Sequence, residues 1–152
     1  GQMSSLPVLS GRAVARRLGW AWVGLALSLG VHVADEALTD FLSVYNPAVE
    51  AIRQRVPWIP LPTFTFPIWL AGLVLLVSVL LLFSTPAFRG ARWMVWLAYP
   101  LGVIMVLNGV GHLAGSIYLG RPMPGVYSSP LLLTAAAFLL TQARKVQRFR
   151  AT

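Results

Sequence analysis

Two short polar clusters interrupt otherwise apolar stretches of the chain: His32-Val33-Ala34-Asp35-Glu36, and Asn108-Gly109-Val110-Gly111-His112. Together they hold both histidines of the protein and two of its four acidic residues. Ionisable side chains are expensive at membrane depth and mark function there by default. On a helix, residues four apart lie on nearly one face. Glu36 is rotated by about 40° from His32, and Asp35 by about 60° the other way, so both carboxylates flank the imidazole. Asn108 and His112 share a face in the same manner.

Several chemistries suit such a set. Two imidazoles and a carboxylate, with an amide or a water, are donors for zinc, manganese or iron. In that reading His32, Glu36 and His112 are the metal ligands, Asp35 fixes an imidazole tautomer, and Asn108 orients water or substrate. An open coordination position then activates water or polarises a carbonyl, as in a hydrolase or oxidase. The same five residues, without metal, form an acid/base set: a carboxyl as general acid and a histidine beside Asp35 as base, fit for isomerisation or cyclisation of a lipid, sterol or terpenoid. A third class is non-enzymatic, a lipid-binding or proton-relay protein, since Asp/Glu/His chains also line ion pathways. A merely structural network is a costly way to join two helices, because interhelical polar contacts return less than about 1 kcal/mol on average. The rest of the chain offers little competition. There is no cysteine, no phosphate loop and no HExxH zinc motif. Ser78, Ser84, Ser116 and Thr134 lack a His and an acid at a suggestive spacing and read as packing hydroxyls.

The elements that must position these groups are apolar. Of 152 residues, 57% are hydrophobic and 11% are charged, against about 25% charged in an ordinary soluble domain. Four apolar segments are readable, at 18–44, 67–84, 93–119 and 126–142, each near or above the roughly 17–25 residues of a spanning helix. Continuous runs rich in Leu and Ala argue against strands. Prolines 57, 60, 62 and 67 mark a long first loop, in which 50–55 is expected to form a short interfacial helix and the Pro/aromatic stretch after it to cover an opening. Thr85-Pro86 and Arg121-Pro122-Met123-Pro124-Gly125 punctuate the remainder.

The formal net charge is +8, but the basic residues lie between and beyond the apolar segments, where the positive-inside rule accounts for them and no nucleic-acid face results. Arg12, Arg16, Arg17, Arg89, Arg92, Arg144, Lys145, Arg148 and Arg150 fall on one side of a four-span chain, which places both termini in the cytoplasm. The tryptophans near the segment ends read as interface anchors. Counting 1.5 Å per residue, His32 lies about 21 Å and Glu36 about 27 Å into the first segment, and Asn108 about 22 Å and His112 about 28 Å into the third. Parallel first and third helices therefore bring His32 level with Asn108 and Glu36 level with His112, near the outer leaflet. Asp40 falls at the interface. Gly102, Gly109, Gly111 and Gly115 either let helices approach closely or leave room for a substrate, and Arg121 is placed to neutralise Asp35 or Glu36.

On these residues the chain resembles the HXXEE domain family of small multi-span membrane proteins. The family's histidine and two acids correspond to His32, Asp35 and Glu36, with Asp in place of the first Glu. Asn108, His112 and Pro124-Gly125 look like the family's later Asn/His pair and Pro-Gly turn. The resemblance implies a four-helix membrane domain and no established activity.

The expectation is an all-α, integral membrane four-helix bundle, multi-pass in the cell membrane, with a bacterial plasma membrane as its setting. It comprises a tail at 1–13 with an expression scar at Gly1-Gln2, a four-span domain at 14–143 whose first segment serves as its own insertion signal, and a basic cytoplasmic tail at 144–152. The catalytic set is His32, Asp35, Glu36, Asn108 and His112. The cofactor is a divalent metal, the substrate a small lipophilic molecule, and the partners membrane lipid and, given the lipid-facing surface of short helices, a second copy in a homodimer.

Overall fold

The computed structural model describes residues 10–152, and the expression scar lies outside them. Among the described residues there are six helices and no strand: α1 Gly11–Leu38, α2 Leu42–Arg55, α3 Phe66–Leu82, α4 Ser84–Phe88, α5 Arg92–Leu119 and α6 Ser129–Ala151. Three stretches are long and apolar enough to cross a membrane: α1, Phe66–Phe88 (α3 with α4) and α5. The helix α6 is not one of them. Its apolar part, 130–140, is only about 16 Å long, after which Gln142, Arg144 and Lys145 follow.

Local chemistry sets the helix limits. Ser10 caps α1, its Oγ accepting from the Ala13 N–H at 3.2 Å, which satisfies one of the free amides at a helix start. The helix therefore begins inside the stretch read as a tail. It stops earlier than the apolar segment suggests, at Leu38 instead of Val44. Thr39 Oγ1 donates to the Asp35 carbonyl at 2.6 Å, and Asp40 takes a left-handed conformation with φ 59°, one that Asp tolerates better than most residues. The chain turns there and restarts as α2, which is longer than the short helix expected at 50–55 and buries only Leu42 and Val49. At the other end α6 continues through the basic tail, since Arg, Lys and Gln are good helix formers.

The loop after α2 is pinned against it. Asn46 Nδ2 donates to the Phe64 carbonyl at 2.8 Å and its Oδ1 accepts from the Phe64 N–H at 3.0 Å. Tyr45 donates to the Pro62 carbonyl at 2.9 Å and Arg53 to the Leu61 carbonyl at 2.6 Å.

The helix α6 packs on both α1 and α5, and α1 also packs on α3 and α4. Leu18, Trp22 and Leu25 of α1, Met94 of α5, and Leu132 and Leu139 of α6 are almost wholly buried. Trp22 is thus a core residue and not an interface anchor, with its indole N–H satisfied by the Leu80 carbonyl at 2.6 Å. Trp69 is buried too, whereas Trp20, Trp58, Trp93 and Trp96 are exposed. The glycines of α5 serve α6 more than α1. A Cβ on Gly102 would meet Leu140 Cδ2 at 2.6 Å, and one on Gly109 would meet Leu133 Cγ at 2.6 Å. These two positions let α6 approach α5 closely.

The two ends of the molecule differ in chemistry. At one, Arg150 donates to the Gly90 carbonyl and Phe149 lies over Gly11, so the start of α1, the turn before α5 and the end of α6 gather with their basic residues. Toward the other, α1, α5 and the start of α6 carry the two polar clusters.

Candidate metal and acid/base centre

His32 and Glu36 project from the last two turns of α1, and Asn108 and His112 from α5. The four meet in the interior. His32 Nε2 lies 3.2 Å from Asn108 Oδ1 and 3.2 Å from His112 Nε2. Glu36 spans the pair, with Oε1 3.5 Å from His32 Nε2 and Oε2 3.5 Å from His112 Nε2. The imidazoles meet edge to face, with centroids 4.6 Å apart. His32, Glu36 and His112 are all buried, at 0%, 5% and 4% exposure, and each directs one donor atom into a cluster whose members lie within 4.8 Å of one another.

Asp35 does not join this cluster. Its Oδ2 accepts from the Ser128 N–H at 2.9 Å and from the Ser128 hydroxyl at 2.6 Å. The same hydroxyl lies 2.7 Å from His32 Nδ1. Ser128 has one hydroxyl proton to give, and it is directed at Asp35 Oδ2. The Ser128 oxygen then accepts from His32 Nδ1–H. This network assigns the tautomer: His32 carries its proton on Nδ1 and turns the Nε2 lone pair toward His112 and Glu36. The order Asp35, Ser128, His32 is a hydrogen-bonded chain of the kind that orients metal-binding or basic imidazoles.

Gly125 closes the site from the loop before α6. Its φ is +92°, and a Cβ there would lie 2.6 Å from His112 Cε1 and 2.8 Å from Glu36 Cγ. The sequence marks Gly125 only as part of a turn, and it does not single out Ser128. Reading 126–142 as one apolar helix hid Ser128 inside a span. The Ser128-Ser129-Pro130 run is itself a helix-start signal, and Ser128 is indeed the N-cap residue of α6, but its side chain caps nothing because Asp35 and His32 engage it.

A cavity of about 370 Å³ reaches Glu36, Asn108 and His112 and is walled by Phe41, Trp69 and Gly111. A Cβ on Gly111 would meet nothing within 4 Å, so this glycine leaves space where Gly102 and Gly109 provide contact. Arg121 is exposed. Among the described residues the ion pairs at the site are those of Glu36 with the two histidines, so Arg121 neutralises neither acid.

The family model described as a protein of unknown function with HXXEE motif matches residues 22–140, well over half of the chain. The protein belongs to the HXXEE family. No curated protein and no solved structure matched it. Within this HXXEE domain the motif residues divide their work: His32 and Glu36 face the shared cluster with His112, and Asp35 faces away to hold Ser128.

The donor set has a definite size. A tetrahedral ion with bonds of about 2.0–2.1 Å keeps its donors about 3.3 Å apart. His32 Nε2 and His112 Nε2 are 3.2 Å apart and each lies 3.5 Å from a different oxygen of Glu36; taking one donor atom from each residue, the three lie within 4.8 Å of one another. With His32 in the tautomer assigned above, its lone pair, the Glu36 oxygens and the Asn108 oxygen converge on one region; a metal ion there, or the His112 ring proton on Nε2, meets them.

Proposed function

We propose that this HXXEE protein is a membrane enzyme that uses a divalent metal, held by His32, Glu36 and His112, to act on a small lipophilic substrate. The observation that carries the reading is the convergence of three buried residues, each offering one donor atom within 4.8 Å of the others, one of them a histidine whose tautomer is set from behind. Three protein ligands leave a position for water or substrate, which is the pattern of catalytic and not of structural sites. Asn108 stands beside that position, and the cavity gives access to it. Bound there, a divalent metal supplies a Lewis acid and an activated water; the chain's own part is to orient the ligands, exclude bulk water and present Asn108 to the reacting group.

The membrane setting is a four-span bundle with both termini in the cytoplasm. It is supported by three helices of spanning length and hydropathy and by the gathering of the basic residues at one end. In this arrangement α6, 23 residues long, crosses as the fourth element, one face packed on α1 and α5, with its basic turns among the headgroups. The site then lies toward the outer leaflet of a bacterial plasma membrane.

A second reading has one observation in its favour. His112 Nδ1 is buried without a hydrogen-bond partner. Left unprotonated, it places the ring proton on Nε2, aimed at His32 Nε2 and Glu36. That form is a metal-free acid/base pair, suited to moving a proton on a lipid, sterol or terpenoid.

Turnover tests the enzymatic claim. Wild-type protein in liposomes made from a total bacterial lipid extract, supplied with zinc, manganese or iron, is expected to convert one lipid species to a product visible by chromatography and mass spectrometry. Glu36→Gln is expected to lose at least about two orders of magnitude of that rate, the usual worth of one acid/base or ligand group. Conversion without added metal and in the presence of a chelator favours the acid/base reading; no conversion in either condition contradicts both.

A further inference from the structure

A second cavity, of about 330 Å³, adjoins the site. It is lined by Phe41, Tyr45, Phe64, Ile68, Trp69 and Gly72, and it shares Phe41 and Trp69 with the cavity at Glu36 and His112. The rings form a continuous ladder. Phe64 and Tyr45 stack at 6.0 Å, Tyr45 and Phe41 at 5.5 Å, Phe41 and Trp69 at 6.0 Å, and Phe41 reaches His112 at 5.5 Å. Two polar groups near this slot are already spent, the Tyr45 hydroxyl on the Pro62 carbonyl and the Asn46 amide on the Phe64 backbone, and the lining is mainly aromatic and aliphatic. Its outer side is open, since Ile68 is exposed and a Cβ on Gly72 would meet nothing within 4 Å. Both residues belong to the first two turns of α3, whose surface is almost entirely outward-facing.

We infer that the substrate is a single-chain amphiphile that enters sideways from the bilayer, lays its hydrocarbon chain in the aromatic slot and carries its polar end past Phe41 to Glu36, Asn108 and His112. The inference rests on the reading of that cluster as the reacting site. A wholly polar substrate has no use for the slot, and a wholly apolar one has no use for the cluster; the shared Phe41–Trp69 wall joins the two environments. Ligand sites of this kind pair an aromatic-lined volume with a few convergent polar groups.

The test uses hexadecanol carrying a mid-chain diazirine, with the full chain in phosphatidylcholine nanodiscs, and peptide mapping after irradiation. Labelling is expected to concentrate on Phe41, Tyr45, Ile68 and Trp69. Gly72→Leu fills the slot and is expected to cut this labelling roughly tenfold, the worth of about two methylene groups that lose their seat. Gly24→Leu, at another open glycine, controls for an added leucine outside the slot and is expected to label as the parent does. Labelling spread evenly over the outward faces of α3 and α5 and unmoved by Gly72→Leu overturns the inference. The two failures are separable. A wrong slot leaves metal binding intact in Gly72→Leu, whereas a wrong metal reading leaves the labelling intact in a protein that holds no metal.

Discussion

Gly125→Ala is expected to abolish metal binding while the helices remain. The substitution acts twice. A left-handed backbone at φ +92° costs an alanine about 1–2 kcal/mol. The new Cβ would also sit 2.6 Å from His112 Cε1, 2.9 Å from His112 Nδ1 and 2.8 Å from Glu36 Cγ, and overpacking of this sort costs about 1–3 kcal/mol more. Relief comes either by moving the loop, which carries Ser128 with it, or by moving His112 and Glu36, which spreads the donors. Either way the ligand set loses its spacing, and an affinity loss on the order of 100-fold or more is expected. Gly120→Ala is the matched control. Gly120 is also left-handed, at φ +66°, but a Cβ there meets nothing within 4 Å. It is expected to lower stability by about 1 kcal/mol and to leave metal affinity unchanged. Metal titration and thermal unfolding of the two variants in detergent separate strain from site geometry. Equal metal affinity in Gly125→Ala and Gly120→Ala contradicts this account of the loop.

Ser128→Ala is expected to weaken metal binding about 10–100-fold with little change in fold, the usual cost of removing the group behind a ligating histidine. Ser128 accepts from His32 Nδ1 at 2.7 Å and donates to Asp35 at 2.6 Å. Without its hydroxyl the buried His32 N–H has no acceptor, a penalty of about 1–3 kcal/mol. The ring relieves it by moving its proton to Nε2, the atom that must be free to bind metal. Asp35→Asn acts on the same chain from its far end, since an amide holds the Ser128 proton less firmly. Because both changes reach the metal through His32, their effects are not expected to add. A double variant that loses the sum of the two single losses shows that Asp35 and Ser128 act independently, and removes the relay from the account.

The meeting of the polar clusters of α1 and α5 is legible in the sequence because two regularities coincide. Helical spacing puts His32 with Glu36 and Asn108 with His112, and equal depth sets the two pairs opposite each other. The contacts of His32 with Asn108 and of Glu36 with His112 follow from nothing more. Asp35 also behaves as its position suggests, set to the side of His32 and not into the cluster. What the sequence conceals has a common physical origin: groups whose placement depends on chain path instead of periodicity. Ser128 and Gly125 reach the site through the irregular segment after Gly120, which no helical repeat governs. The break after Leu38 is masked by the apolar residues on either side of it, and only the turn-prone Thr39-Asp40 pair hints at it. Trp22 and Trp69 are indistinguishable by composition from Trp20 and Trp58, since core and interface both favour an amphipathic ring. The role of the α5 glycines is similarly a question of which helix lies opposite. The answer is α6 for Gly102 and Gly109, a neighbour whose apolar stretch is too short to declare itself a span.

The direct measurement is the metal content of the purified protein by elemental mass spectrometry, prepared without chelators, beside His112→Ala and Glu36→Gln. The account predicts close to one zinc, manganese or iron per chain in the parent and almost none in either variant, with all three proteins folded. Absence of metal from the parent, even after reconstitution with each of the three ions, contradicts the metal centre and leaves the His32–His112 pair as a site of proton transfer.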